Sequence, residues 1–418
     1  MKMNAPSWAR RLACFVAGLA LAILGLPANA QATASGLPHA LEQAWRLHPQ
    51  AAALDALEAE ARAAQDIASG LTPEPGAFSI GNLSDRLNGN RGRQEWELAL
   101  ATPLWLPGQK AAHIAEAASR IDEAMAKRTA LRWELAGELR EAWWSLAAAR
   151  NVKALAIRRI DNARALATDV RRRHDAGELS RIDANLAQAE IQVAETELIE
   201  ADALLLQAEQ TLRILTGTVA PAEMAEELSV PRVVPGAVQV TPESHPQVAA
   251  ATAAARSARA RVKLVDESQR AAPELALRVV RDRNDVGEPY ANRVGITLKI
   301  PFSSAPQVRR ATSLALAEAN QADAEMLRSR TRVQLEAERS QRIFLATERQ
   351  LTVTEERRTL AADSLRLAER AFNLGESDLT TLLRIRAAAY DAESALVRQR
   401  VARAAAKSRL KQSLGVLP

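Results

Sequence analysis

Apolar and polar residues alternate in several short stretches of the chain, and this two-residue period is typical of a β-strand with one polar face. The clearest case is the stretch around Val294–Ile300, where four aliphatic residues are separated by Gly295, Thr297 and Lys299. Polar loops rich in Asn, Asp, Gly and Arg separate the stretches in pairs, so we predict two β-hairpins. The four strands are predicted over 77–83, 94–102, 274–281 and 292–302.

In most of the remaining chain the apolar positions recur every three to four residues, as on an amphipathic helix. Between Gly108 and Arg173 there is no proline, and Gly137 is the one internal glycine. A helix of that length would extend for about 100 Å at ~1.5 Å per residue. Shorter helices are predicted over Pro38–Ser69 and Glu243–Arg270. The four long helices are predicted over 108–173, 180–215, 307–372 and 378–414.

The order of these elements occurs twice. His48 recurs as His245 at an offset of 197 residues, and Gly177 recurs as Gly375 at an offset of 198. Because several landmarks repeat in the same order with almost constant spacing, we interpret the chain as an internal duplication. The predicted units are a signal segment, a first repeat, a linker and a second repeat over 1–30, 31–217, 218–242 and 243–418.

The first 30 residues have the three parts of a secretory signal peptide. Lys2, Arg10 and Arg11 precede an apolar run that ends before Pro27, and small residues follow at Ala28 and Ala30. A membrane anchor would need roughly 20 apolar residues, which exceeds this run. We therefore expect cleavage after Ala30 and export from the cytoplasm.

Composition narrows the classes of function. Lys and Arg number 55 and Asp and Glu 50, so removing the three cations of residues 1–30 leaves 52 against 50. A chain so nearly balanced is not expected to bind nucleic acid, which requires clustered cations. Aromatic residues make up 3%, too few for one large compact core. The histidines show no ligand spacing and no catalytic motif occurs, so we predict no enzyme activity, no cofactor and no metal site.

Four strands are too few to close a barrel, and every strand edge inside a lipid bilayer must be paired. Outer-membrane barrels begin at about eight strands, so a dimer with eight or a trimer with twelve is the smallest closed solution. A soluble sheet with one wet face is the alternative. In a barrel, the lumen-facing residues include Glu97, Arg278, Thr297 and Lys299. The predicted lipid-facing residues are Trp96, Leu98, Leu100, Leu275, Leu277, Val279, Val294, Ile296, Leu298 and Ile300.

The repeated order of helix, hairpin and long helix pair resembles the TolC family of outer-membrane efflux channels. The strand-to-helix corner from Leu98 to Lys110, and its copy around Pro301, resemble those of the heavy-metal, CzcC-like branch. The turns at 174–180 and 372–378 resemble the inner-tip loops of the family. The similarity extends over Leu37–Gly415.

This resemblance implies an α+β membrane protein that assembles as a homotrimer. The trimer would form a twelve-stranded transmembrane β-barrel in the outer-membrane lipid and a long α-helical coiled-coil barrel in the periplasm. A periplasmic adaptor, or membrane fusion protein, and an inner-membrane pump of the resistance–nodulation–division (RND) class would be its partners. The family's adaptor-docking tip positions correspond here to Gly177, Glu178, Ser180, Gly375, Glu376 and Asp378.

The resemblance also places the lining of the closable entrance just beyond these turns. The corresponding positions are Asp183, its repeat mate Thr381, and Arg384 one helical turn further. Several family members have carboxylates at the latter two positions, and this chain does not. A mixed lock between Asp183 and Arg384 and an ordinary solvated helix surface are both compatible with the sequence.

The predicted function is a passive exit duct of a tripartite RND-type efflux system, with heavy-metal cations as the favoured cargo. The alternatives are a multidrug or organic-solute channel and a type I secretion exit. A soluble periplasmic coiled-coil scaffold or adaptor is the rival from a different class, and the duplicated strand pair disfavours it.

Overall fold

The computed structural model describes residues 36–221, Met224 and 242–418. The predicted signal segment 1–30 and most of the linker 218–242 lie outside these residues. In the described part of the chain the first repeat contains α1 (Leu37–Leu47), α2 (Pro49–Ser69), β1 (Ala77–Ser84), β2 (Gln94–Pro103), α3 (Gln109–Asp175) and α4 (Arg181–Thr216). The second contains α5 (Pro246–Glu267), β3 (Glu274–Arg283), β4 (Ala291–Lys299), α6 (Ala305–Asn373) and α7 (Leu379–Ser413).

Proline positions set the helix starts, and here the structure differs from the single helix predicted over Pro38–Ser69. His48 has φ −73° and ψ 119°, an extended conformation that separates α1 from α2. Proline disfavours the α conformation in the residue before it, and it begins the next helix without losing a needed N–H. Pro246 does the same for α5, so that helix begins at 246 rather than at Glu243.

The four strands form one antiparallel sheet in the order β1-β2-β3-β4. Leu98 in β2 lies opposite Ile80 in β1 and Val279 in β3. The outer strands β1 and β4 each have one neighbour among the described residues. Strand β4 ends at Lys299, short of the predicted 302, and the next residue but one is Pro301, which has no N–H to donate to a ladder.

The long helices pack side by side as a layer, with different neighbours at its two ends. Near the sheet the order is α2-α3-α5-α6. Away from the sheet, α4 and α7 replace α2 and α5, and the order becomes α4-α3-α7-α6. Helices α3 and α6, of 67 and 69 residues, run through both ends. None of the described helices is long and apolar enough to cross a membrane.

Small residues line the contact between helices. In α4, alanines at heptad spacing are buried against α3: Ala187, Ala194, Ala201 and Ala208. A seven-residue repeat keeps one stripe of a helix facing its partner along the whole length. Because alanine allows helix axes to approach closely, the layer is ordered with few aromatic side chains.

A buried polar contact joins the two repeats where α1 lies against α3. The Arg140 guanidinium, 1% exposed, donates to the side chain of Gln412 and to the carbonyl of Val416, 3.0 Å away. Trp133 Nε1 donates to the Gln412 carbonyl at 2.8 Å, and the Gln412 amide donates back to the Trp133 carbonyl at 2.7 Å. The Trp133 ring meets His245 edge to face at 4.8 Å, so the start of α5 and the end of α7 are fixed to α3.

Candidate functional site

The two turns at the far end of the long helices have the same backbone geometry. Gly177 has φ +83° and Gly375 has φ +79°. The N–H groups of these glycines donate to the carbonyls of His174 and Phe372. The N–H groups of the next residues, Glu178 and Glu376, donate to the carbonyls of Arg173 and Ala371. This is the glycine-terminated end that satisfies the last carbonyls of a helix. Glycine is needed for its φ alone, since a Cβ at either position would meet no atom within 4 Å.

Each turn leads directly into a capped helix. At the start of α4, the Ser180 hydroxyl accepts from the Asp183 N–H at 3.2 Å, and the Asp183 carboxylate accepts from the Ser180 N–H at 3.0 Å. This reciprocal arrangement is a capping box. The predicted entrance residue Asp183 therefore has its carboxylate engaged in capping its own helix.

The second repeat uses a carboxylate instead of a hydroxyl as its cap. The Asp378 side chain accepts from the Thr381 N–H at 2.6 Å. Hydrogen bonds from the Thr381 backbone and side chain, with a smaller contribution from the positive charge of Arg384, hold the pKa of Asp378 below its ordinary value. Asp378 consequently stays ionised at the fully exposed end of the layer.

The predicted entrance residues lie on the first turns of α4 and α7. Thr381 is half-buried and Arg384 is exposed. The ion pairs within the described residues do not include one between Asp183 and Arg384. The positive charge of Arg384 acts on Asp378. The lock between Asp183 and Arg384 stays a prediction.

The two turns are held next to each other. Arg173 Nη2 donates to Asn373 Oδ1 at 3.1 Å, and its guanidinium lies 5.1 Å from the centre of the Phe372 ring. Arg173 also pairs with Asp169 at 3.1 Å. Beneath these contacts lies an apolar cluster drawn from both repeats: Leu166, Val170, Ala187, Ala368, Phe372, Leu379 and Leu382. The six predicted docking residues are thereby brought to one end of the molecule.

A charged cluster lies further along the same layer. Arg159, whose side chain is 15% exposed, pairs with Glu190 at 3.0 Å and also with Glu197, both in α4. Its guanidinium stands 4.5 Å from the centre of the Tyr390 ring in α7. Burial alone would lower the pKa of Arg159, but the two glutamates outweigh it and raise that pKa. The next residue, Arg158, pairs with Glu393 of α7 at 3.0 Å.

Sequence reasoning did not identify the Arg159 cluster. Glu190 and Glu197 are seven residues apart and so share one face of α4, which was the available signal. Their partner Tyr390 lies in the other repeat, 231 positions after Arg159, and nothing local in the sequence links the two.

The sheet at the other end has most of its large apolar side chains on one face and most of its charged side chains on the other. Directly paired residues of antiparallel strands lie on the same face, so the register groups Trp96, Leu98 and Leu100 with their counterparts in β3 and β4. Phe78 and Ile80 join them from β1, at 68% and 65% exposure. Nine of the ten predicted lipid-facing residues occupy this face, and Ile300 follows the end of β4.

The opposite face contains charges that pair with each other across strands. Arg278 pairs with Glu97 at 2.7 Å, and Lys299 with Glu274 at 3.8 Å. Asp282 pairs with Arg293 at 3.0 Å. Both faces are solvent-exposed in a single chain, so the sheet provides one charged surface and one that is apolar except at its loop end.

The described residues contain no group of three or more His, Cys, Asp or Glu side chains that could hold a metal ion. His245 is buried at the N-terminus of α5, where its Nδ1 accepts from the Gln247 N–H at 3.3 Å. Burial lowers the pKa of His245, and a hydrogen bond with the Gln412 backbone opposes this.

Comparison with known proteins shows what the chain is similar to. Residues 237–416 match the family model described as outer membrane efflux protein. The cobalt-zinc-cadmium resistance protein CzcC of Cupriavidus metallidurans is 29% identical over 276 residues, which are 65% of this chain and 63% of that protein. The match thus spans less than two thirds of the relative's length.

The fold matches solved outer-membrane proteins over 91% of the chain. The outer membrane protein VceC of Vibrio cholerae superposes with a TM-score of 0.73 at 16% identity and 96% coverage of that chain. CmeC, the outer membrane channel of Campylobacter jejuni, gives 0.74 at 13% identity and 85% coverage. CusC, described with its transmembrane channel formation, gives 0.73 at 14% identity and 92% coverage. At these identities the likeness concerns the fold.

Proposed function

We infer that this chain belongs to the outer membrane efflux protein family and is one subunit of a passive exit duct across the periplasm and outer membrane. The observation that carries this proposal is the four-stranded sheet. Its apolar face is exposed, and the outer edges of β1 and β4 are unpaired in the described chain. Such a sheet is stable in lipid only when other copies close it into a barrel.

A homotrimer satisfies this requirement with twelve strands. Its lipid-facing surface would be the apolar face that contains Leu98 and Ile296, and its lumen would be lined by the paired charges around Arg278. A polar lumen and an apolar exterior are the arrangement of water-filled outer-membrane barrels. The barrel lies in the cell's outer membrane, and the helical layer extends from it into the periplasm.

The outer helices of the layer also support assembly into a homotrimer. On α6, Val353, Leu360 and Leu367 recur at heptad spacing and are exposed, Leu360 by 71%. On α4, which forms the other edge of the layer, Ile182 and Val193 are exposed. A stripe with heptad spacing requires a partner helix, and we assign α4 of the neighbouring copy to it.

The paired tips are the proposed docking surface for a periplasmic adaptor, which would connect the duct to an inner-membrane pump of the RND class. Rigid turns at Gly177 and Gly375 present Glu178 and Glu376 outward. The residues just behind the turns, Asp183, Thr381 and Arg384, line the proposed entrance. The chain itself performs no energy conversion in this scheme.

Heavy-metal cations are the proposed cargo. The similarity to CzcC, a cobalt-zinc-cadmium resistance protein, supports this assignment. In a duct, cargo passes through as substrate, so no resident metal site is required in this chain. Organic solutes are the alternative cargo within the same channel function.

Membrane fractionation followed by detergent extraction tests the proposal. We expect the mature protein in the outer-membrane fraction as a complex three times the chain mass, which boiling converts to the monomer. Recovery as a periplasmic monomer would reject the channel. In a deletion strain, restored tolerance to cobalt, zinc and cadmium on complementation, without a change in tolerance to organic drugs, would support the metal cargo; the reverse pattern would support organic solutes.

A further inference from the structure

Two arginines stand on the apolar face of the sheet at its loop end. Arg281 lies directly opposite Trp96 in the register, and Arg283 lies opposite Gln94. Alternation along β3 therefore puts both guanidinium groups on the same side as Leu277 and Val279. Among the described residues neither arginine has a carboxylate partner within ion-pair distance.

Both guanidinium groups pack against one aromatic ring. The guanidinium carbons of Arg281 and Arg283 each lie 4.8 Å from the centre of the Tyr290 ring. The Tyr290 hydroxyl donates to the Gln94 side chain at 2.7 Å, which fixes the ring. A cation held over an aromatic face keeps the N–H groups at its edge available for another ligand.

The loops behind this pair of arginines support each other. Arg283 Nε donates to the carbonyl of Gly92 at 3.2 Å, and the Val286 N–H donates to the carbonyl of Arg91 at 3.2 Å. Gly92 has φ +93°, and a Cβ there would come within 2.4 Å of the Val286 side chain. The two hairpin loops are thus in close contact, and the arginines project from a fixed base.

Most acidic residues near Arg281 and Arg283 interact with other groups. The pleat directs Glu95 and Asp282 to the polar face, where Asp282 pairs with Arg293 at 3.0 Å. In the loops, Asp85 accepts from the Arg91 N–H at 2.9 Å, and Glu288 accepts from the Asn284 N–H at 3.3 Å. Of the loop acids, Asp285 alone has an uncommitted carboxylate, and it is exposed in the tip. The apolar side of this rim is therefore positively charged.

We propose that Arg281, Arg283 and Tyr290 form a binding site for the phosphate headgroup of an outer-leaflet lipid. The inference rests on the proposed barrel, in which this face meets lipid and this end of the sheet lies away from the periplasmic helices. Guanidinium groups bind phosphate through two parallel hydrogen bonds, and the adjacent apolar strands around Trp96 and Val279 contact the acyl chains. Aromatic residues at this height match the girdle of such barrels.

The test uses the trimer extracted from outer membranes in neutral detergent, titrated with bis-phosphorylated lipid A and followed by native mass spectrometry. We expect binding that the double variant R281Q/R283Q weakens by roughly tenfold or more. R281K/R283K should bind with intermediate affinity because lysine lacks the planar fork. The matched pair is R281Q and R293Q, which each remove one charge per chain, from the apolar and the polar face respectively; R281Q should bind more weakly and R293Q should bind as the wild type does.

Two further arms identify the ligand. Dephosphorylated lipid A should bind no better than the double variant binds lipid A, and millimolar inorganic phosphate should not displace the lipid. Equal binding of dephosphorylated lipid A, displacement by inorganic phosphate, or equal loss in R293Q would overturn the proposal. Since the assay starts from a recovered trimer, absence of that trimer would reject the channel function, whereas a trimer indifferent to R281Q/R283Q would reject only the lipid site.

Discussion

The guanidinium of Arg159 in the first repeat lies 4.5 Å from the ring of Tyr390 in the second. This contact crosses from α3 to α7, while the same guanidinium pairs with Glu190 and Glu197 of α4. A single side chain therefore connects three helices of the layer that forms the proposed tunnel wall.

Replacing Arg159 with Met should destabilise the helical layer by about 1–3 kcal/mol, because Glu190 and Glu197 would lose their partner in a half-buried position. Chemical denaturation of the detergent-extracted protein measures the change. The triple variant R159M/E190Q/E197Q removes the unpaired charges and should recover part of the loss. A triple variant as unstable as R159M would show that the ion pairs are not the cause.

Gly177→Ala should weaken the tip by roughly 1 kcal/mol, because alanine is strained at φ +83° although space is free. Hydrogen exchange of the last turn of α3 is the measurement. Gly287→Ala is the control, since it also lies in open space and has no positive φ. Equal exchange in the two variants would contradict the backbone argument.

The cap formed by Asp378 should make the start of α7 sensitive to acid. Its pKa is depressed below the ordinary value of 3.8, so its stabilising effect is complete above that pH and is lost as the pH falls through the depressed value. Amide exchange at Thr381, followed against pH, should accelerate in this range. In D378N the same profile should be flat, and an unchanged profile would rule out the carboxylate.

His245 should make the stability of the protein depend on pH in a second, higher range. Its pKa is lowered from 6.5 by burial, so the unfolded chain takes up the proton first and stability falls as the pH decreases below about 6.5. The fall ends below the folded-state pKa. H245N, which retains a capping side chain, should reduce this slope in denaturation curves measured across that range, and an identical slope would assign the effect to other groups.

A charge on the apolar face of the sheet should prevent insertion. Leu98→Arg is expected to cost about 2–4 kcal/mol per subunit in the bilayer and to remove the trimer from the outer membrane. Thr297→Arg places the same side chain on the polar face and should leave the trimer intact. If both variants assemble equally, the assignment of the two faces is wrong.

Sequence periodicity was sufficient to locate the four strands and the four long helices. The two-residue alternation around Val294 and Ile296 anticipated the shared apolar face, because alternation follows from the pleat itself. The break at His48 was not predicted, because Pro49 was interpreted as a proline tolerated near the start of one helical pattern and not as the start of a second helix. The predicted fold agrees with that of the structural neighbours.

At the tips, the turns were predicted from the sequence but the side-chain contacts were not. Glycine at 177 and 375 indicated the turns because only a positive φ requires it there. The engagement of Asp183 in a capping box was not anticipated, although serine three residues earlier is its signature. The Arg159 cluster depends on packing between repeats, which no local pattern encodes.

The unpaired edges of β1 and β4 have a genetic consequence. If three copies close one barrel, a subunit with a damaged edge strand will enter trimers with normal subunits and spoil the seam it shares with them. With equal expression and random mixing, only about one trimer in eight would contain normal subunits alone. Alleles that disrupt an edge without preventing synthesis should therefore be dominant over the wild type, whereas null alleles should be recessive.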